Sequence, residues 1–136
     1  MTVPVSDLMT ADPITLTVSD TVADAMALMD KHSFRHIPIV DGEDLVGVVS
    51  HRDLARAVLG HTDELPFQEQ RQVFAEVSID EVMVRGVATV APNDALKDAT
   101  YLMLENKFGC LPVCEGTRLV GILTESDFVR RVAESL

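Results

Sequence analysis

Basic side chains are scarce in this 136-residue chain: 11 Lys and Arg stand against 22 Asp and Glu, for a formal charge of −11. So acidic a balance excludes the usual nucleic-acid-binding face, which needs a basic stripe to release counterions from phosphate. Long apolar runs are missing too, and none approaches the ~20 residues of a membrane-spanning helix. The opening Met1-Thr2-Val3-Pro4 has neither the basic nor the apolar region of a signal peptide. A soluble, cytoplasmic protein is expected. Cysteine occurs only at Cys110 and Cys114, four apart in an apolar run that reads as a strand. Extension there separates the two by about 13 Å, so they cannot bridge each other within it. Without a nearby pair of histidines they make only a weak zinc case, and buried structural thiols are expected.

Apolar residues make up 47% of the chain, enough for one compact domain or two small halves sharing a core. The sequence decides for two halves, because an offset of 74 residues superposes 7–58 on 81–132 without a gap. Thr15 meets Thr89, Asp20 meets Asp94, and Asp24-Ala25 meets Asp98-Ala99. Further on, Phe34 meets Phe108, Pro38 meets Pro112, and Leu45-Val46-Gly47 meets Leu119-Val120-Gly121. Residues 1–60 form the first repeat and 78–136 the second. Residues 61–77 have no counterpart in either and read as a connecting helix starting after Pro66.

Each repeat predicts the order β-α-β-β-α. In the first, Pro4 to Met9 suggests a helical turn and Ile14 to Thr17 a short β-branched strand. Ser19 or Asp20 should cap a helix in which Val22, Ala25, Met26 and Met29 share one buried stripe. Phe34 to Val40 and Leu45 to Val49 read as a hairpin around Asp41-Gly42. A second helix, begun at Ser50 and running from Asp53 to Leu59, should stop at Gly60. The second repeat predicts the capping box Ser78-Ile79-Asp80-Glu81, a strand near Ala88 to Val90 and a helix from Asp94 to Asn106. Strands at Cys110 to Cys114 and Leu119 to Leu123 follow, then a helix from Thr124 to Glu134. A unit of about 55 residues is too small to cover its own sheet, so the two should pack on each other and leave two equivalent clefts.

The most informative stretch is Gly47-Val48-Val49-Ser50-His51-Arg52-Asp53, repeated as Gly121-Ile122-Leu123-Thr124-Glu125-Ser126-Asp127. Each copy takes a buried strand into a helix, with a hydroxyl at the turn and a carboxylate three residues later. That pattern serves a capping box, in which hydroxyl and carboxylate satisfy orphan amides. It equally serves a nucleotide: the helix start attracts phosphate, and an aspartate accepts hydrogen bonds from both ribose hydroxyls. Both readings stand on these residues alone.

The order of residues resembles the cystathionine-β-synthase (CBS) domain, here as the tandem pair called a Bateman module. The resemblance rests on Leu8-Met9-Thr10, Thr15, Asp20-Thr21, Ala25-Met26, Met29, His36-Ile37-Pro38-Ile39-Val40-Asp41 and Gly47 through Leu54, with the same order in the second copy. It implies an α/β (α+β) fold of two pseudo-symmetric repeats and a regulatory module for AMP, ADP, ATP or S-adenosylmethionine, with no catalytic cofactor. By the same resemblance, one ligand site would use Thr124 and Asp127 with Thr10, Ile14, Phe34, Arg35 and His36. The other would use Ser50, Arg52 and Asp53 with Val84, Ala88, Phe108, Gly109 and Cys110. The carboxylates would hold ribose. The sites are unequal, because Thr10 is matched by Val84, Arg52 by Ser126 and Arg35 by Gly109.

The resemblance further implies homodimers paired through helices, and an effector protein as the regulated partner. The alternative within the family is a structural module whose clefts stay empty. An enzyme is not expected: the four histidines are unmatched in the second repeat, and neither a nucleophile with its base nor a metal cluster is apparent.

Overall fold

The computed structural model describes residues 2–61 and 67–136, with side chains described for 2–57 and 72–136. In chain order the strands and helices are β1 (Thr10–Ala11), α1 (Val22–His32), β2 (His36–Asp41), β3 (Asp44–Ser50), α2 (His51–His61), α3 (Phe67–Glu76), α4 (Leu96–Asn106), β4 (Cys110–Glu115), β5 (Arg118–Thr124) and α5 (Glu125–Ser135). Short 3-10 turns at Val5–Asp7 and Ile79–Glu81 precede the first and second repeats of this pattern. The expected connecting helix is α3. Its approach through Pro66 lies outside the described residues, as does the side chain of Phe67.

Several local expectations need correction. Helix α1 is capped by Thr21, whose hydroxyl accepts from the Asp24 amide while the Asp24 carboxylate accepts from the Thr21 amide. Asp20 is occupied instead by the Thr17 amide and hydroxyl, so it shapes the loop before the cap. Met26 is 38% exposed, whereas Val22, Ala25 and Met29 are buried. The buried stripe is therefore narrower than expected and leaves out Met26. Helix α2 continues through Gly60 to His61, since a glycine tolerates helical geometry at a cost of about 1 kcal/mol. The strands expected at Ile14–Thr17 and Ala88–Val90 reduce to single parallel bridges, Leu16 with Ile39 and Val90 with Val113. Cys110 and Cys114 are free thiols on β4, and a register shift falls between Val113 and Cys114.

The chain forms two compact units: a C-terminal unit of Met1–Pro13, Glu43–Leu45 and Val87–Leu136, and a central unit of Ile14–Gly42 and Val46–Gly86. Each unit takes its leading arm from the other sequence repeat. In the central unit the arm residue Ile79 is fully buried beside Val22, Ala25, Met29, Ile37, Ile39, Val49 and Leu54. Its amide donates to the Asp20 carbonyl at 2.8 Å, and the Val22 amide donates to Val77 at 2.9 Å. In the C-terminal unit Val5 takes the matching place beside Ala99, Met103, Leu111, Val113 and Leu123. There the Val5 amide donates to the Asp94 carbonyl at 2.8 Å, and Leu96 donates to Val3 at 2.7 Å. Burying a side chain of this size contributes roughly 2 kcal/mol, so each arm is part of the core it fills.

The helices end alike. Ser33 and Lys107, equivalent in the repeat, adopt left-handed backbone with φ 59° and 56°, and each donates its amide to the methionine four residues before. Gly42 and Gly116, both at φ 62°, turn β2 into β3 and β4 into β5, a backbone conformation that costs glycine nothing. In the C-terminal unit β5 is flanked by β4 and β1, both antiparallel, with Cys110 opposite Thr124 and Thr10 opposite Ile122.

Candidate functional site

Each unit exposes one strand-to-helix turn, and in both the hydroxyl and carboxylate meet as a capping box. In the central unit the Ser50 amide and hydroxyl donate to Asp53 Oδ2 at 2.8 and 2.9 Å, and the Asp53 amide donates back to the Ser50 hydroxyl at 3.1 Å. In the C-terminal unit the Thr124 amide and hydroxyl donate to Asp127 Oδ2 at 2.8 and 3.3 Å. The cap uses one oxygen of each carboxylate and leaves Oδ1 for other partners.

Those second oxygens differ. Asp127 Oδ1 accepts from the Thr10 hydroxyl at 2.9 Å and from Arg130 Nη1 at 3.4 Å. The residue is 4% exposed and is the one buried charged residue among those described. Thr10 reaches it because β1 pairs with β5 immediately before the turn. In the central unit the place of Thr10 is taken by Val84, which bridges Val48 and has no hydroxyl to offer. Among the described residues, Asp53 Oδ1 faces only the exposed Arg56, at 3.8 Å. Beside it lies a pocket of about 390 Å³ lined by Asp53, Arg56, Ala57, Val77, Glu81 and Val82. One carboxylate is satisfied on all sides; the other keeps an oxygen open to a cavity.

Close packing behind each turn explains the glycines. A Cβ on Gly47 would sit 2.7 Å from the Val84 carbonyl, and one on Gly121 would sit 2.6 Å from Met9 Sδ and 3.0 Å from the Thr10 carbonyl. Only glycine lets the arm approach the strand this closely.

The remaining residues singled out from the sequence divide between the units. Ile14, Phe34, Arg35, His36 and Arg52 belong to the central unit, Ala88, Phe108, Gly109 and Cys110 to the C-terminal one. Ile14 is 39% exposed and Val84 48%, both unusually open for aliphatic side chains. Phe34 is half-buried and stacks on His32 with ring centroids 5.3 Å apart. Arg35 is exposed, and its carbonyl accepts from the His51 amide at 2.8 Å, tying it to the start of α2. Arg52 is likewise exposed and His36 opens β2. Ala88 and Phe108 pack against the C-terminal core. Cys110 lies directly opposite Thr124, and burial pushes its thiol up to about 12. Such a thiol stays neutral and offers contact, not nucleophilic attack.

Sequence reasoning missed Arg56, Arg130, Glu81 and Val82. The two arginines were findable, because each stands three residues after its aspartate, one helical turn on and on the same face. Glu81 and Val82 depend on the exchanged arm, which no local pattern announces. Among the described residues no group of three His, Cys, Asp or Glu could hold a metal ion. No helix among them is long and apolar enough to cross a membrane.

A family model for the CBS domain matches residues 5–60 and again 79–134. The chain is a tandem pair of CBS domains. A solved structure from Vibrio cholerae, named as an acetoin utilization protein (AcuB), is 40% identical with a TM-score of 0.84, covering 98% of this chain and 93% of that one. CBSX2, solved in complex with AMP, is 30% identical with a TM-score of 0.78 over 96% of both chains. The CBS domain pair of protein MJ0100, solved with 5'-methylthioadenosine and S-adenosyl-L-methionine, is 26% identical with a TM-score of 0.81 over the full length of both. Protein MJ1225 of Methanocaldococcus jannaschii is 31% identical over 132 residues, 95% of this chain and 47% of that protein. This CBS pair spans about half, or less, of the first curated relatives it matches; in those named as enzymes it spans 13% of a tRNA nucleotidyltransferase and 22% of an inosine-5'-monophosphate dehydrogenase.

Proposed function

We propose that this CBS pair is a non-catalytic regulatory module of the cytoplasm that binds an adenine nucleotide, AMP, ADP or ATP, at its strand-to-helix turns. The observation that supports it most is the geometry of Asp53. Its cap occupies Oδ2 alone, so Oδ1 remains available to ribose hydroxyls beside a pocket of about 390 Å³. The positive end of the α2 dipole favours phosphate nearby, and Arg52 and Arg56 supply local positive charge in an otherwise acidic chain. AMP in CBSX2 and S-adenosyl-L-methionine in MJ0100 agree with an adenosine ligand class. At about 0.3 kcal/mol per heavy atom, a nucleoside monophosphate of roughly 23 atoms binds with a dissociation constant on the order of 10 μM.

The module works as a pair of copies and passes ligand occupancy to an effector protein through two conformations of unequal ligand affinity. Exposed apolar residues on α4 and α5, Tyr101, Leu104, Val129 and Val132, support the pairing. A thermal-shift panel of AMP, ADP, ATP and S-adenosylmethionine tests the ligand reading. A ligand at 100 times its dissociation constant adds about 2.7 kcal/mol of stability. A shift with AMP, ADP or ATP that disappears in Asp53→Asn supports the nucleotide reading; a shift with S-adenosylmethionine alone replaces the ligand, and none with any of the four leaves a structural module.

A further inference from the structure

The pocket of about 390 Å³ beside Asp53 is lined by a second carboxylate, Glu81. Glu81 ends the 3-10 turn Ile79–Glu81, which fully buried Ile79 anchors in the core of the central unit. Its Oε2 accepts from the Ser78 amide at 3.2 Å, so one oxygen is fixed by the turn, and Oε1 has no partner among the described residues. The charges along the lining do not balance. Arg56 stands 3.8 Å from Asp53 and offsets it, and on the arm Asp80 pairs with Arg85. Glu81 is therefore the lining charge without an opposite partner among the described residues. The other walls are Ala57, Val77 and Val82, apolar groups that suit a base or a sugar and offer phosphate nothing. Position 57 is small here, where the other repeat has Arg131.

We infer that Glu81 is a specificity-determining residue, which makes this pocket take AMP in preference to ATP. The assignment rests on the nucleotide reading above and names which nucleotide that site selects. A phosphate monoester carries a charge of about −1.5 to −2 at neutral pH, and each further phosphate in the chain adds about one more. One guanidinium on the lining, already shared with Asp53, matches a single phosphate group. Every added phosphate then meets the Glu81 carboxylate with no cation to offset it. Two like charges about 8 Å apart, at an effective dielectric constant of about 40, weaken binding roughly sixfold. Rejection by an unpaired like charge separates ligands that share the same adenosine contacts, which attraction to those contacts cannot do.

Isothermal titration with AMP and with ATP reads this directly, in EDTA so that no divalent cation bridges carboxylate and phosphate. The unsubstituted chain should bind AMP about tenfold or more tighter than ATP, the two added phosphates each meeting the repulsion above. Glu81→Gln keeps an oxygen for the Ser78 amide and removes the charge, and it should narrow that ratio at least about threefold by tightening ATP. Loss of a purely structural role would move both constants alike. Glu81→Asp keeps the charge and should keep the preference for AMP. ATP binding as tightly as AMP in the unsubstituted chain overturns the assignment, as does an unchanged ratio in Glu81→Gln or a ratio that collapses equally in Glu81→Asp. AMP binding without discrimination against ATP refutes the role of Glu81 alone. Failure of both nucleotides to bind the unsubstituted chain refutes the nucleotide reading itself, and the role of Glu81 with it.

Discussion

The Thr10 hydroxyl donates to Asp127 Oδ1 at 2.9 Å, across 117 residues of sequence. This bond joins an arm from the first repeat to a helix start in the second, and it completes the solvation of a carboxylate that is 4% exposed. The equivalent position, Val84, gives Asp53 no such partner. Two copies of one motif thus reach different electrostatic ends through a single hydroxyl.

Thr10→Val tests that bond. Valine is isosteric and suits a strand, so the loss reads the hydrogen bond to a buried charge, about 2 kcal/mol. Urea unfolding should show that loss through a lower midpoint with an unchanged slope. A stability within a few tenths of a kcal/mol of the starting protein would mean the bond contributes nothing.

The two aspartates should respond differently to amidation. Asp127→Asn weakens a carboxylate held by four donors and should destabilise the fold by more than Asp53→Asn, for which a cap loss of around 1 kcal/mol is expected. Asp53→Asn should instead act on the ligand, weakening AMP about thirtyfold, which corresponds to roughly 2 kcal/mol. Calorimetric unfolding and isothermal titration with AMP measure the two effects in the same preparations. Equal stability losses would contradict the asymmetry.

Gly47→Ala and Gly121→Ala should each destabilise by about 1–3 kcal/mol. At both sites the new methyl meets a backbone carbonyl or a methionine sulfur within 3.0 Å, and the arm must move to admit it. Gly121→Ala should also lengthen the Thr10 to Asp127 contact, since Thr10 is one of the groups displaced. Thermal melts of the pair check the prediction, and an unchanged melting temperature in either refutes it.

Alkaline pH should weaken the C-terminal unit. Burial raises the Cys110 thiol from 9.0 to about 12, so across that range the folded state holds a proton that the unfolded state releases. Stability therefore falls as pH rises. The contribution is intact below about pH 9 and is lost progressively toward pH 12. Cys110→Ser should flatten that part of the pH profile, and at pH 8 the Cys110 thiol should react with a disulfide reagent far more slowly in the native protein than in urea.

The sequence by itself determined the elements that depend on neighbours in the chain. The 74-residue offset, the two hairpins, the helices after Ser50 and Thr124, and the buried run of β4 were all legible, because periodicity, turn chemistry and capping act over a few residues. The family was legible for the same reason, being an order of local motifs. What the tertiary structure alone decided is which arm joins which core and which carboxylate stays open. Val5 and Ile79 look alike in sequence, and each is buried in the unit built mainly from the other repeat, a pairing chosen by packing between residues some ninety or sixty positions apart. Asp53 and Asp127 sit in matching motifs, and only the strand laid beside each, with a hydroxyl in one case and a methyl in the other, separates an available acceptor from a satisfied one.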